Sequence, residues 1–426
     1  MIKELQIRPF ARPLLVWIAG IMLQTVFSCC TYSWVLLLLP VIILTIAGFA
    51  LRGQEHFCYE TRWLWGAVFF SLLLSFSIQK TAYSQFESSP EHPVSRLSCW
   101  AREEQQRLLE PIAKLNLTDE EKSVLATITV GYRQAMNREV RDRFSATGVA
   151  HILAVSGFHV AIVCGFLSFL LSFLPRNGLG KWLRYLLTIV LLWTFVAVTG
   201  FAASAVRAGL MLTLFLTGLL LGKLMERYNI LAASAFCMLV YEPLYLFDIG
   251  FQLSYLAVFS ILYFQPRMQR LIEIRNPFLL TPWRWITVTV SAQIGTTFLC
   301  LYYFGRFSTV FLLTNLPLTL LATLLVPVCL VWMLLPAGFP GAEWLQVVVE
   351  WLARRMLWIV DSFSRVPGAV FSFRFDFLTM LVAYGMLLFT LLYGRTGRSR
   401  YLFVALSLLL IILLVRLIGN LKLCGI

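Results

Sequence analysis

Polar and ionisable side chains set inside long apolar runs are costly, about 2.5–3.5 kcal/mol for a charge at a bilayer centre on insertion scales, so each one needs a reason. The densest set is Phe144-Ser-Ala-Thr-Gly-Val-Ala-His151-Ile-Leu-Ala-Val-Ser156-Gly157-Phe-His159-Val. His151, Val155 and His159 follow an i, i+4, i+8 spacing with Ser156 beside them, which on a helix gathers polar groups near one side. Such histidines either bond neighbouring helices or line an aqueous cavity. Zinc binding is a poorer reading, because the stretch lacks His-Glu-x-x-His and a nearby third ligand.

A second stretch, Thr199-Gly200-Phe201-Ala-Ala-Ser204-Ala205-Val-Arg207-Ala208-Gly209, mixes small residues with one cation. Small residues let helix backbones approach closely. Arg207 lies several residues into an apolar run and needs a carboxylate, carbonyls, water or a polyanion as partner. The third stretch, Tyr241-Glu242-Pro243-Leu-Tyr-Leu-Phe-Asp248-Ile-Gly250-Phe-Gln252-Leu-Ser254-Tyr255, places acids and amides around Pro243 and Gly250. A discontinuous helix there would expose ends that bind ions or polar groups. Asp248 is a candidate partner for Arg207 or Arg306. The fourth carries Ser291, Gln293, Thr296 and Thr297, then Tyr302-Tyr-Phe-Gly305-Arg306-Phe-Ser308 and Asn315-Leu-Pro317.

The residues expected to line a passage or touch its contents are therefore His151, Ser156, His159, Arg207, Asp248, Gln252, Ser254, Gln293, Arg306 and Asn315. Gly157, Gly200, Gly209, Gly250 and Pro317 are the expected hinge or packing positions. No catalytic residue, metal or cofactor is expected.

What must position these groups is a set of membrane spans. The 426 residues are 59% hydrophobic and 13% charged, with a mean hydropathy of +0.80, against roughly 25% charged residues in soluble domains. Apolar windows of about twenty residues, long enough to cross a bilayer, recur along the chain. Spans are expected at 14–30, 34–51, 63–79, 149–174, 183–200, 203–222, 229–247, 250–266, 285–304, 377–393 and 401–418. Segment 308–336 contains Pro317 and Pro327 and is expected to be broken or re-entrant, which is tolerated only against protein or a water-filled cavity. The fold class is thus an all-α polytopic integral membrane protein of roughly 11–13 transmembrane or re-entrant helices.

With the N-terminus in the cytoplasm, Lys3, Arg8, Arg12, Arg52, Arg62, Arg176, Lys181, Arg184, Lys223, Arg227, Arg267, Arg270, Arg275 and Arg284 all fall on the cytoplasmic side, as the positive-inside bias requires. The same bias explains much of the net charge of +14, although an electrostatic path for a polyanion would also carry basic excess. If 308–336 crosses twice, the Arg395, Arg398 and Arg400 turn is cytoplasmic too; if once, the last loops break the rule.

The polar segment 80–148 is then extracytoplasmic. It holds a capping-box start, Thr118-Asp119-Glu120-Glu121, and a second helical stretch from Arg133 to Phe144. Its arginines read either as a solvated amphipathic face or as a basic collar at a channel mouth. Segment 343–361 has Trp344, Val348, Trp351, Leu352 and Met356 on helical spacing, as in a helix lying in the interface. Cys164, Cys237, Cys300 and Cys329 sit in apolar runs as small hydrophobes, whereas Cys29, Cys30 and Cys99 leave room for one disulfide. No cleavable signal is evident.

Taken in order, these blocks resemble the channel domain of bacterial ComEC-type competence proteins. His151-Ile-Leu-Ala-Val-Ser-Gly-Phe-His159 is very similar to that family's His-Leu-Leu-Ala-Val-Ser-Gly-Leu-His signature. Thr199-Gly-Phe with Arg207-Ala-Gly-Leu-Met211, Gly250-Phe-Gln-Leu-Ser254, and Gly305-Arg306-Phe-Ser308 to Asn315-Leu-Pro317 resemble further blocks in the same order. Gly131-Tyr-Arg133 resembles the domain's start. The resemblance covers residues 125–335, and frames the chain as N-terminal spans 1–80, an extracytoplasmic helical segment 81–148, the overlapping channel core, and interfacial plus C-terminal helices 336–426.

The resemblance implies a multi-pass channel of the bacterial inner membrane that passes one DNA strand inward during transformation. Full-length relatives add an OB-like domain and a metallo-β-lactamase-like nuclease. With four histidines (His56, His92, His151, His159), the chain cannot assemble the nuclease's His-x-His-x-Asp-His cluster, so it reads as a short form that is not an enzyme. It has no Gly-x-x-x-x-Gly-Lys-Ser/Thr phosphate loop either. Expected partners are single-stranded DNA, membrane lipid, an extracytoplasmic DNA receptor, a separate nuclease and a cytoplasmic helicase-like motor. Two other classes compete. A secondary transporter for a small anion would use the same broken helices and buried Arg, Asp and His. A membrane-embedded enzyme would use His151 and His159 as acid–base groups, without an obvious nucleophile or metal set.

Overall fold

The computed structural model describes residues 8–27, 42, 44–46, 62–87, 96–134, 136–153, 155–175, 177–222, 225–336 and 339–423. Lys3, Cys29, Cys30, Arg52, His56, His92, Arg176, Lys223 and most of the expected span 34–51 lie outside them.

Helices run in chain order as α1 (Ala11–Phe27), α2 (Arg62–Glu87), α3 (Arg96–Ala113), α4 (Asp119–Val130) and α5 (Arg138–Ala146). Next come α6 (Gly157–Leu170), α7 (Gly178–Val198), α8 (Ala203–Leu220), α9 (Arg227–Tyr241), α10 (Ile249–Gln269) and α11 (Pro277–Tyr303). A short strand β1 (Arg306–Ser308) precedes α12 (Phe311–Leu334) and α13 (Ala342–Ser364). Strand β2 (Val370–Ser372), α14 (Phe377–Thr396) and α15 (Ser399–Leu423) complete the chain. Helices α7, α8, α10, α11, α12 and α14 are long and apolar enough to cross a membrane, and 11–27, 157–173 and 399–412 are shorter apolar helices. The protein is an almost wholly helical, polytopic membrane protein.

Local chemistry explains several boundaries. Thr118 and Glu121 close the expected capping box at the start of α4, satisfying amides that have no partner within the helix. Glu226 accepts from Asn229 N at 2.8 Å to begin α9, and Asn276 accepts from Phe278 N at 2.9 Å ahead of Pro277 to begin α11.

Three expectations need correction. Segment 149–174 is not one span: a 3₁₀ turn at Ala150–Ile152 is followed by a break, and α6 starts only at Gly157. Segment 308–336 is not broken; α12 runs through Pro317 and Pro327 as one 24-residue helix. Each proline costs a helical hydrogen bond, but Leu318, Ala322, Leu325, Val326 and Cys329 are fully buried and hold the helix by packing. The helix expected from Arg133 starts at Arg138. Along α13 the expected apolar face divides, with Leu352 and Met356 buried and Trp344, Val348 and Trp351 exposed.

The chain forms two compact units. The first comprises Met1–Met136, Ile152–Leu262 and Ala322–Ala353. Its core joins Trp17, Ile21, Ala235, Met238, Leu239 and Phe251. Trp17 Nε1 donates to Leu239 O at 3.0 Å, and Ser77 Oγ donates to Trp17 O at 2.6 Å, so α1 is clamped to α9 and α2. The second unit comprises Asn137–His151, Tyr263–Leu321 and Arg354–Ile426. There α14 pairs with α15, Tyr384 Oη donates to Gly295 O at 2.7 Å to fasten α14 to α11, and β1 pairs antiparallel with β2, Arg306 opposite Ser372.

Candidate functional site

In the first unit the polar residues converge on α8. The turn that delivers this helix contains Gly200 at φ +72° and Phe201 at φ +51°. A non-glycine residue in that region costs about 1–2 kcal/mol, offset here by hydrogen bonds from Gly200 N to Ala197 O (2.8 Å) and from Phe201 N to Val196 O (3.1 Å). Ser204 Oγ donates to Val155 O at 2.6 Å, tying the break before α6 to the start of α8. Gly157 and Gly209 are packing positions: a Cβ at Gly157 would meet Ala208 Cβ at 3.4 Å, and one at Gly209 would meet Val196 at 3.4 Å. Helices α6 and α7 therefore press closely on α8.

Arg207 is 5% exposed. Its Nη2 donates to Gly250 O at 3.0 Å, and its Nε has no hydrogen-bond partner among the described residues. Asp248, Tyr245 and Tyr255 lie within electrostatic reach, but among the described residues no carboxylate pairs with Arg207 within 4 Å. Asp248, a candidate partner for Arg207 by sequence, therefore forms no ion pair with it. The reason is local: Asp248 Oδ1 accepts from Phe251 N at 2.7 Å, capping α10 after a 3₁₀ turn at Pro243–Phe247. Gly250 leaves room for both groups, since a Cβ there would stand 3.1 Å from Asp248 Oδ1 and 3.5 Å from Arg207 Nη2.

The remaining sequence candidates of this unit do structural work. Ser156 begins α6, and the buried His159 ring turns back so that its Nδ1 accepts from Ser156 N at 3.2 Å. That is a capping box with histidine in the place usually held by Glu or Gln. His151 and His159 do not share a helical side, because the break separates them. Gln252 Nε2 donates to Leu246 O at 2.9 Å, and Ser254 Oγ reaches Phe251 O at 3.5 Å.

In the second unit, Thr314 Oγ1 donates to Thr147 O at 2.7 Å, and Gly148, at φ +76°, sits against Phe311 and Ser308. Asn315 Nδ2 donates to Thr289 Oγ1 at 2.9 Å, joining α12 to α11, while Gln293 is half-buried along α11. Arg306 is exposed and only 3.8 Å from the exposed Asp142, a loose pair of little energetic weight. Arg143 pairs with Asp361 at 2.7 Å. His151 is exposed in the 3₁₀ turn that precedes the break.

Sequence reasoning singled out Tyr302 and Tyr303 but missed Arg374, Phe375 and Phe377, which line the same pocket. Their signal was available: Val370-Phe-Ser-Phe-Arg-Phe-Asp-Phe377 alternates strictly, the period of an extended strand.

Fold and site together define a polytopic helical membrane protein with a buried cation in a span and a mixed aromatic and basic surface elsewhere. The competence-protein family profile matches residues 128–398, well over half of the chain, and the chain belongs to that family. It is similar to ComE operon protein 3 of Bacillus subtilis (strain 168), 26% identical over 286 residues, which cover 61% of this chain and 34% of that protein. The chain therefore spans about a third of that relative's length. No solved structure matches the chain significantly.

Proposed function

We propose that this chain passes single-stranded DNA across the bacterial inner membrane during DNA uptake in competence. Family membership supports the uptake role, and Arg207 carries the passage. A guanidinium in a spanning helix, with neither an ion pair nor an acceptor for its Nε among the described residues, is costly to keep buried. A phosphate oxygen passing beside it would supply the missing acceptor.

Arg207 can hold a strand but cannot drive one. Each nucleotide carries about one negative charge, and drawing it inward against a negative-inside potential costs about 2.3 kcal/mol per 100 mV. The proposal therefore includes a separate cytoplasmic motor, along with a DNA receptor on the outer side and a nuclease that prepares the strand. In this reading the N-terminus is cytoplasmic, and residues 80–148 face outward. The direct experiment is uptake of labelled DNA by cells with and without the chain. Label should reach the cytoplasm only when the chain is present; equal uptake in both strains refutes the proposal.

A second reading draws on the 3₁₀ break at Pro243–Phe247, bounded by Glu242 and Asp248, the kind of interruption found at transporter sites. A small-anion transporter would move its solute in liposomes with no DNA present, and the DNA proposal predicts no such coupled flux.

A further inference from the structure

The second unit has a feature that the passage through Arg207 does not use. The antiparallel pairing reaches one residue beyond the strands, with Phe373 N donating to Gly305 O at 2.9 Å, and Phe375 N then donates to Leu301 O at 3.2 Å in the last turn of α11. Opposed side chains in such a pair share a face. Arg306 and Ser372 are on one face, and Phe307 and Phe371 on the other. Alternation continues Arg374 on the basic face and Phe373 on the aromatic one.

Where the ribbon meets α11 and α14, a pocket of about 570 Å³ opens, lined by Tyr302, Tyr303, Arg374, Phe375, Asp376 and Phe377. The volume falls within the range of about 300–1,000 Å³ common for small-molecule sites. Tyr302 contacts Tyr303 with ring centroids 4.8 Å apart and Phe377 at 6.2 Å, so the walls are aromatic. Asp376 is occupied as the N-cap residue of α14 and accepts from Thr379 Oγ1. Arg374 lines the pocket and is exposed, and Arg306, exposed too, lies on the adjoining ribbon opposite Ser372.

We propose that this pocket holds one base of a single-stranded oligonucleotide against Tyr303 and Phe377, with Arg374 and Arg306 on the flanking phosphates. Rings beside a basic groove are the usual combination for sequence-tolerant strand binding. Interfacial aromatics that merely anchor a helix in lipid account for single rings facing outward, not for a recess walled by four rings and a guanidinium. The site deepens the DNA reading and rests on it. With the orientation proposed above, it faces the outer side, where the strand would arrive.

The test uses the full chain in lipid nanodiscs and a fluorescent 20-nucleotide oligothymidine carrying 5-iodouracil. Ultraviolet crosslinking should attach the probe to the peptide containing Tyr302 and Tyr303 or to that containing Phe377. Tyr303→Ala should weaken binding about tenfold, within the range expected for one stacked base, and Tyr303→Phe should bind as the natural chain does. Arg374→Ala should make the dependence of log Kd on log salt shallower by about 0.7, the value for one phosphate contact on a single strand. If the natural chain binds the probe but Tyr303→Ala binds equally well, or if a photoreactive phospholipid labels the pocket and the oligonucleotide does not, the site is overturned while the DNA reading stands. If the natural chain neither binds the probe nor supports uptake, the DNA reading falls with it.

Discussion

Arg207 and Arg374 carry the same charge in opposite settings. Arg207 is sealed in α8, close to a glycine carbonyl, and its neighbours are held by glycine contacts, a capped helix and a strained turn. Arg374 lies exposed on a ribbon rich in aromatic rings. A buried cation is expensive and position-specific, so its surroundings must be built around it. An exposed cation beside aromatic rings costs little and tolerates many partners. The first arrangement suits a checkpoint through which charge must pass, and the second suits a landing surface for a strand.

Substitutions can break this contrast. The largest effect is expected at Arg207: Arg207→Gln should reduce DNA uptake about 100-fold at equal membrane levels, corresponding to about 2.7 kcal/mol, the size of a hydrogen bond to a charged group. Uptake within twofold of normal would place Arg207 outside the path. Gly148→Ala should follow. Its φ of +76° is unfavourable for alanine, and the new Cβ would fall 2.8 Å from Phe311 Cβ. A loss of about 1–3 kcal/mol in thermal or denaturant stability in detergent is expected from strain of this kind, and an unchanged midpoint would contradict the packing described.

Asp248 provides a finer discrimination. If it acts as a cap, Asp248→Asn should keep nearly full stability and uptake, whereas Asp248→Ala should lose about 1 kcal/mol of stability. A severe uptake defect in the Asn variant would instead mean that its charge matters. The smallest effect is expected at His159. His159→Gln preserves the capping box, so its stability should fall by only about 0.5 kcal/mol or less, and uptake should persist. Loss of uptake with normal stability would restore the histidine to a chemical role.

Legibility from sequence differed between the two units for physical reasons. Apolar runs revealed most spans, because burial against lipid demands continuous hydrophobicity. The Thr118 capping box was equally plain, since both partners lie three residues apart. The His151–His159 spacing misled because Ser156 and His159 satisfy each other locally and start a new helix, competing with continuation of the old one. Pro317 and Pro327 misled because close packing overrode propensity. Contacts such as Thr314 to Thr147 and Arg143 to Asp361 join residues 167 and 218 apart in sequence. No periodicity announces such pairs. The ribbon is similar: each strand has three residues, and alternation in 370–377 gains meaning only once its partner at 306–308 is known.

The most direct measurement is electrically driven passage. Purified chain in liposomes would be given an inward-favouring potential and a labelled 30-nucleotide single strand outside, with entry scored after nuclease treatment of the exterior. The account predicts strand inside the vesicles containing the natural chain and little inside those with Arg207→Gln or no protein. Equal, background-level entry in all three, with correctly inserted protein, would contradict it.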